Sequence, residues 1–350
     1  MAKAKMITGA FFLTLSLLQT LHSATATVAS VQTTSMPGAN VEERQRAIDL
    51  YHHEKFAEAA KLLRKALKKN NSDDEGWYYL GLALLRQPKE VKEASKAFET
   101  ALKLRPNSAA AHAGLSYSLL LRNKPSDAIR EAQAALNIEP NIADAHYVMG
   151  VARLRAGERE DALAQAEAAI KVNPKFAPGY LLKSQALASF LGEALVPKEG
   201  ESIDGRKARF SQAADALEKY LQLVPNTQDK QTWTEQLESL RFYVASHRTD
   251  KGSEGVFGGK EVATKARVLA KPEPSYTESA RQAQVTGTVV LRAVFASDGT
   301  VKHFLVVKGL PYGLTEASVK AARKIKFIPA TIDGRPVSMF IQLEYNFNLY

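Results

Sequence analysis

The sequence predicts an α+β multidomain protein, in which an α-helical solenoid is followed by a small α+β domain with a three-stranded antiparallel sheet. Three observations lead to this prediction. Helix-length apolar patterns recur with a thirty-four-residue period, a glycine-rich charged stretch interrupts them near residue 250, and apolar residues alternate with a period of two from Gly287 onward. A long repeat period is typical of helical arrays, and a period of two is typical of strands.

The first 26 residues have the composition of a secretory signal peptide. Lys3 and Lys5 precede an apolar run of sixteen residues at 6–21, and small residues follow at 24–26 in an A-x-A pattern. A membrane-spanning helix needs about 20 predominantly apolar residues. We therefore expect cleavage after Ala26 and an exported, periplasmic chain. The alternative is a protein that this segment anchors in the inner membrane.

The chain contains no cysteine and has a formal net charge of +10. The lack of cysteine excludes disulfides, thiolate metal sites and cysteine nucleophiles. The excess cations are spread along the chain without interleaved aromatic residues, so we expect no nucleic-acid partner. The sequence has neither a serine nucleophile elbow nor histidines at metal-ligand spacing. We therefore predict no enzymatic activity, no catalytic or metal-binding residues, and no cofactor.

Similar segments end three successive units of the predicted solenoid: "ALKLRPN", "ALNIEPN" and "AIKVNPK". Their prolines, Pro106, Pro140 and Pro174, are thirty-four residues apart. This pattern resembles the tetratricopeptide repeat, which implies two antiparallel helices per unit and a proline at the end of the second helix. We predict about five repeats and a cap helix over 41–246.

The same resemblance implies that the first helix of each repeat lines a concave groove for a second protein or peptide. The predicted peptide-binding residues are Tyr78, Leu82, Tyr117, Tyr147 and Val151. Tyrosine suits this role because it offers a large contact area at a low cost in conformational entropy. The alternative is that the tyrosines only pack against neighbouring helices. His112 and His146 occupy equivalent positions on neighbouring repeats, and we predict packing histidines there rather than metal ligands.

A glycine-rich segment at 247–265 is predicted to be a linker, and a small domain is predicted at 266–350. In this domain "TVVLRAVFA" and "VKHFLVV" flank an Asp-Gly pair, which is typical of a hairpin turn. "LTEASVKAARKI" has the apolar face of a helix. The last segment, 338–350, alternates apolar and polar residues. This alternation predicts a strand with one face on the helix and the other face toward water.

This order of short helix, hairpin, helix and long strand is similar to the TonB carboxyl-terminal domain. The resemblance rests on "EPSYTESARQAQVTGTVVLRAVFASDGTV", "VVKGLPYGLTEASVKAARKIKFIPA" and "DGRPV". Members of that family couple inner-membrane energy to outer-membrane transporters by pairing a transporter peptide with an edge strand. The resemblance implies the following partner-strand pairing residues: Pro274, Tyr276, Phe340, Gln342, Glu344 and Asn346. The sequence does not show which way their backbone donors point.

Thr277 stands where proline is usual in the family. Two other departures from the family pattern keep two functions open: the long proline-rich spacer is absent, and Ser16 and His22 lack the spacing of the family's membrane helix. One function is an exported TonB-like protein that binds an outer-membrane TonB-dependent receptor or another envelope protein in support of transport. The other is a periplasmic scaffold that transmits no energy. Whether inner-membrane motor proteins are partners stays open.

Overall fold

The computed structural model describes residues 39–190, 203–227, 229–245 and 255–349. The chain divides into two compact units, one ending at Gly179 and one beginning at Tyr180, and each is described by itself. The predicted signal peptide at 1–26 and the first part of the predicted linker lie outside the described residues. Over the described ranges, no helix is long and apolar enough to cross a membrane.

The first unit is a row of helices, each packed on the next. Its helices are α1 (Ala39–His52), α2 (Phe56–Lys69), α3 (Asp74–Leu85), α4 (Val91–Leu104), α5 (Ala109–Leu121), α6 (Pro125–Ile138), α7 (Ala143–Ala156) and α8 (Arg159–Val172), with a 3₁₀ turn at Pro88–Glu90. A ninth helix, α9 (Ala177–Ser189), starts at the end of this unit. The helices follow the thirty-four-residue frame, so the predicted α-helical solenoid is confirmed.

Small residues allow three helices of the array to approach closely around one ring. Phe98 of α4 is fully buried. A Cβ atom added at Gly81 of α3 would lie 2.7 Å from this ring, and one added at Gly114 of α5 would lie 2.5 Å from it. The phenyl group therefore fills the space that the two glycines leave, which explains the glycine at each position.

Two histidines stabilise the turns between repeats through hydrogen bonds. His112 Nδ1 lies 2.8 Å from Glu131 Oε2, and its Nε2 lies 3.0 Å from the carbonyl oxygen of Pro106. His146 makes the corresponding contacts one repeat later, at 2.7 and 3.3 Å. Each ring thus ties a proline turn to the second helix of its own repeat, as expected for packing histidines.

The second unit combines helices with a sheet. Its elements are α10 (Ile203–Leu223), α11 (Lys230–Ala245), β1 (Val256–Phe257), β2 (Arg267–Ala270), α12 (Glu278–Gln282), β3 (Gly287–Phe295), β4 (Val301–Lys308), α13 (Leu314–Ala322), β5 (Lys326–Ile328), β6 (Ala330–Ile332) and β7 (Arg335–Phe347). The predicted hairpin is β3–β4, and the predicted closing strand is β7.

The main sheet has five strands rather than the predicted three, in the order β1-β7-β3-β4 with β6 also paired to β7. β3 and β7 are antiparallel over a long register, from Gly287 opposite Phe347 to Phe295 opposite Met339. β2 and β5 form a separate antiparallel ribbon. β1 lies inside the segment predicted as a linker, so that segment contributes to the sheet from Val256 onward. A two-residue strand between glycines carries no periodic signal, so the sequence does not reveal it.

One face of the sheet packs on α12 and α13. The core residues shared by these elements are Ala280, Val289, Leu291, Ala293, Phe295, Leu314, Ala322, Ile325, Leu343, Tyr345 and Phe347. They are the alternate residues of β3 and β7 and the apolar face of the helices. This arrangement fixes β7 in one register, because a shift by one residue would expose its apolar side chains.

Candidate functional site

The β3–β4 hairpin shows which way the backbone of β7 faces. The Ala296 amide donates to the Thr300 carbonyl at 2.9 Å, so Ala296 faces β4. Backbone groups alternate in direction along a strand, so the odd-numbered residues of β3 face β7. Their partners are the odd-numbered residues of β7. The residues of β7 that face away from β3 are therefore Phe340, Gln342, Glu344 and Asn346.

The outer side of β7 is covered only at its beginning. β1 pairs in parallel with Ser338 and Met339, and β6 pairs with residues 335–337. Over 340–347, no strand in the described part of the chain pairs with this side of β7. The backbone donors and acceptors of the four outward-facing residues thus form an edge that can receive another strand.

Lys271 lies across this open edge. Its Nζ donates to the carbonyl oxygen of Glu344 at 2.7 Å and stands 4.5 Å from the centre of the Tyr345 ring. The contact independently shows that the Glu344 carbonyl points outward. Lys271 is exposed, and it follows directly after β2.

Pro274 and Tyr276 lie in the chain that leads from Lys271 into α12. The Tyr276 ring packs edge-on against Phe347 at 5.7 Å, and its hydroxyl donates to the Val285 carbonyl. The ring is therefore partly buried at the far end of β7, while Pro274 is partly exposed beside it. Tyr276 thus contacts the end of β7, and neither residue makes a strand pair within the described residues.

Thr277, the residue that departs from the family pattern, caps α12. Its hydroxyl oxygen accepts a hydrogen bond from the Ala280 amide at 3.2 Å and donates to the Tyr312 carbonyl at 2.5 Å. Threonine is a good N-cap, and proline has no side-chain oxygen to accept this bond. The substitution keeps the helix start and adds a link to the loop before α13.

The opposite edge of the sheet, β4, is closed by α11. The side-chain amide of Gln236 donates to the Phe304 carbonyl at 3.0 Å and accepts from the Val306 amide at 3.0 Å. It therefore occupies the positions that a further strand would take. Tyr243 donates to the His303 carbonyl at 3.3 Å, one residue earlier on the strand. This edge cannot receive a partner strand while α11 is in place.

Part of the sheet face predicted to be open to water is also covered by α11. The Tyr243 ring is fully buried and stacks on Phe340 at 5.4 Å and on Phe210 of α10 at 5.4 Å. Arg292 of β3 is 3% exposed, with its guanidinium 5.4 Å from the centre of the same ring. The prediction of one solvent-facing side is therefore wrong around Phe340. It holds for Gln342, which is exposed.

The predicted groove residues lie on the first helices of the repeats, but most of them are closed to solvent. Tyr78 is partly exposed, and the remaining four are 1–4% exposed: Leu82, Tyr117, Tyr147 and Val151. Tyr147 packs edge-on against Phe176 at 6.0 Å. Buried side chains offer little surface to a partner, so their burial favours the alternative that these side chains pack. Peptide binding in this groove stays a prediction.

The sequence does not predict the burial of two carboxyl groups, those of Asp144 and Glu316. Burial raises the pKa of Asp144, in the first turn of α7, to about 7. Burial raises the pKa of Glu316, in α13, to about 8, and Asp229 adds to this effect. Both oxygens of Glu316 are buried, and neither has a hydrogen-bond partner in the part of the chain that the structure describes. An acidic residue in the first turn of a helix is common, so spacing alone gives no sign of such burial.

Among the described residues, no group of three or more histidine, aspartate or glutamate side chains could hold a metal ion. The candidate functional features of this unit are the open edge of β7, its lysine and the closed edge of β4. An open strand edge is the kind of surface to which an extended segment can add through backbone hydrogen bonds.

Comparison with family models agrees with this architecture. A model described as "Gram-negative bacterial TonB protein C-terminal" matches residues 272–349. Two models described as "Tetratricopeptide repeat" match residues 50–116 and residues 89–145 and 147–190. The chain therefore carries tetratricopeptide repeats followed by a TonB carboxyl-terminal domain. Both belong to protein-interaction families.

Similar solved structures are other repeat proteins. TTC0263, a thermophilic TPR protein in Thermus thermophilus, is 19% identical with a TM-score of 0.45, covering 58% of this chain and all of that one. PilW, a type IV pilus biogenesis factor, is 18% identical with a TM-score of 0.43, covering 59% of this chain and 96% of that one. YrrB, a TPR protein with an unusual peptide-binding site, is 19% identical with a TM-score of 0.39, covering 56% and 92%. No match was found among curated proteins.

Proposed function

We propose that this protein binds an extended segment of an outer-membrane transporter or another envelope protein by strand addition at the outer edge of β7. The single observation that carries the proposal is the outward direction of the Gln342 and Glu344 backbone groups on an edge that no described strand covers. In strand addition, main-chain hydrogen bonds give affinity and alternate side chains give selectivity.

The closed edge of β4 supports this assignment. A sheet has two edges, and α11 blocks one of them through Gln236 and Tyr243. An unprotected edge is a hazard for aggregation, and proteins normally shield it. Shielding of β4 together with an open β7 is the arrangement expected when one edge is kept for a partner.

The proposal also includes the location of the protein. The amino-terminal segment directs the chain to the periplasm, with cleavage after Ala26, and the repeat array recruits a second protein there. The protein then supports transport across the outer membrane. A scaffold that transmits no energy would use the same edge. Retention of the intact amino terminus in the inner membrane favours coupling to a motor, whereas a released chain favours the scaffold.

Proline substitution at the edge tests the proposal. Glu344→Pro removes one outward amide donor at the middle of the open edge, and Gln342→Pro removes the next one. Each should weaken binding of receptor amino-terminal peptides at least tenfold by calorimetry, through about 1 kcal/mol for the lost hydrogen bond and through the clash of the ring with the incoming strand.

The matched controls are Glu344→Ala and Gln342→Ala, which keep the backbone donors. They should bind the same peptides within about threefold of the unchanged protein, since exposed side chains contribute little. Strand addition at this edge is the wrong mechanism if the folded proline variants bind as tightly as the alanine variants.

A further inference from the structure

The cation on the open edge, Lys271, forms no ion pair with any residue that the structure describes. Lys271 Nζ is bound to the Glu344 carbonyl at 2.7 Å, and the Tyr345 ring lies beneath it at 4.5 Å. The Glu344 carboxylate is instead hydrogen-bonded to the Gln342 side-chain amide at 2.9 Å. Over the described residues, no carboxylate lies within ion-pair distance of Lys271. Among these residues, the contacts of the ammonium are thus with a neutral carbonyl and a ring face.

The contact also places Lys271 in the path of an incoming strand. The carbonyl of Glu344 is one of the outward acceptors that a partner strand must use. The ammonium therefore competes with an amide of the partner for this oxygen, and the amide bonds best when the ammonium moves aside. Lys271 is exposed and on a flexible side chain, so it can move without disturbing the sheet. After moving, its charge stands beside the newly paired strand.

The domain that carries this edge has an excess of cations. Residues 261–350 contain 12 cations and 7 anions. Lys326 of β5 lies opposite Ala270, the residue before Lys271. Carboxylates are also present, at Glu344 on the edge strand and at Glu273, which is close enough to act on the Tyr345 hydroxyl. A partner segment with a carboxylate beside Lys271 would pair with the displaced ammonium, whereas a basic segment would be repelled.

We propose that Lys271 covers the Glu344 carbonyl in the free protein and selects partner strands that carry an acidic side chain next to that position. This inference rests on the proposed strand addition. A neutral strand must displace the lysine without gaining a new contact with it, so its binding is weakened. For an acidic strand, the new ion pair with the lysine offsets the free-energy cost of this displacement. It is a specificity-determining residue for the β7 edge.

Binding of synthetic peptides to the full mature chain tests the proposal. The probes are ten-residue receptor peptides that bind the unchanged protein, each made with Glu, Gln or Lys at one position in turn. The unchanged protein should prefer Glu over Gln by about twofold to fivefold at one position, at low ionic strength. Lys271→Met should lose this preference and bind the Gln peptide more tightly, and Lys271→Glu should prefer the Lys peptide.

Two further variants make the result specific. Lys271→Arg keeps the cation and should keep the preference for Glu. Lys320→Met removes an exposed cation of α13, a helix rather than an edge strand, and should leave the preference unchanged. If Lys271→Met keeps the same preference for Glu as the unchanged protein, or if the unchanged protein has none, the inference is overturned while strand addition stands. If proline at Gln342 and Glu344 also leaves binding unaffected, both fail.

Discussion

The closed edge of β4 gives a prediction with a defined magnitude. Gln236→Met removes the side-chain amide while keeping a similar side-chain length, so the Phe304 carbonyl and the Val306 amide lose their partner. The carbonyl contact is buried and the amide contact is partly buried. A buried polar group left without a partner costs about 2 kcal/mol, and a partly buried one about 1 kcal/mol. The second unit should therefore lose about 3 kcal/mol of stability.

Trp233 of α11 reports on this unit, because it is 6% exposed and packs edge-on against Tyr220 at 6.1 Å. In a Trp77→Phe background it is the only tryptophan left. Urea unfolding followed by its fluorescence should show a midpoint lowered by about 1–2 M, for a slope of about 2 kcal/mol per M.

The control variant is Gln231→Met on the same helix. Gln231 is exposed, and its amide reaches only Glu235, at 3.3 Å. It should shift the midpoint by less than about 0.3 M, because a surface substitution changes the free energy of unfolding by no more than about 0.5 kcal/mol. If Gln236→Met behaves like this control, the amide does not hold α11 on β4, and the account of the closed edge is refuted.

Three further predictions concern other parts of the chain. Gly114→Ala places a methyl group 2.5 Å from Phe98 and should destabilise the array by about 1–3 kcal/mol; an unchanged far-UV melting curve would contradict the close packing. Glu316→Gln should be more stable than the unchanged protein at pH 8. The folded carboxyl keeps its proton up to about pH 8, so the unchanged protein loses stability as the pH rises above 4.5, and the variant should not show this loss. A difference in melting temperature between the two proteins that is the same at pH 5 and pH 8 would contradict this. Periplasmic protein should begin at Thr27, and an intact Met1 in the inner membrane would contradict the signal peptide.

Much of the array could be predicted from the sequence, because its information is local. Pro106 and Pro140 mark the ends of helices one period apart, and helices follow wherever that frame continues. Burial of the tyrosines could not be read in the same way. Tyr117 and Tyr147 hold the same place in the repeat pattern whether they line a groove or pack, and only tertiary neighbours decide between the two.

The sheet is predictable where alternation is regular and unpredictable where contacts are distant. The alternation of β7 and the Asp298-Gly299 turn are local signals, so the sequence predicts the hairpin and the closing strand. The docking of α11 depends on Gln236 meeting β4 sixty-eight residues later in the chain, at Phe304. No spacing rule connects them. The contact of Lys271 with Glu344, seventy-three residues apart, has no sequence signal for the same reason.

The claim that a partner strand adds to the outer edge of β7 is tested most directly by residue-resolved amide hydrogen exchange on the full mature chain. Exchange is measured with and without a saturating receptor peptide. If a partner strand adds here, the peptide should slow exchange at the outward amides of Gln342 and Glu344, while Leu343 and Tyr345, already bonded to β3, should change little. A peptide that binds and leaves the Gln342 and Glu344 amides exchanging at their original rates would contradict it.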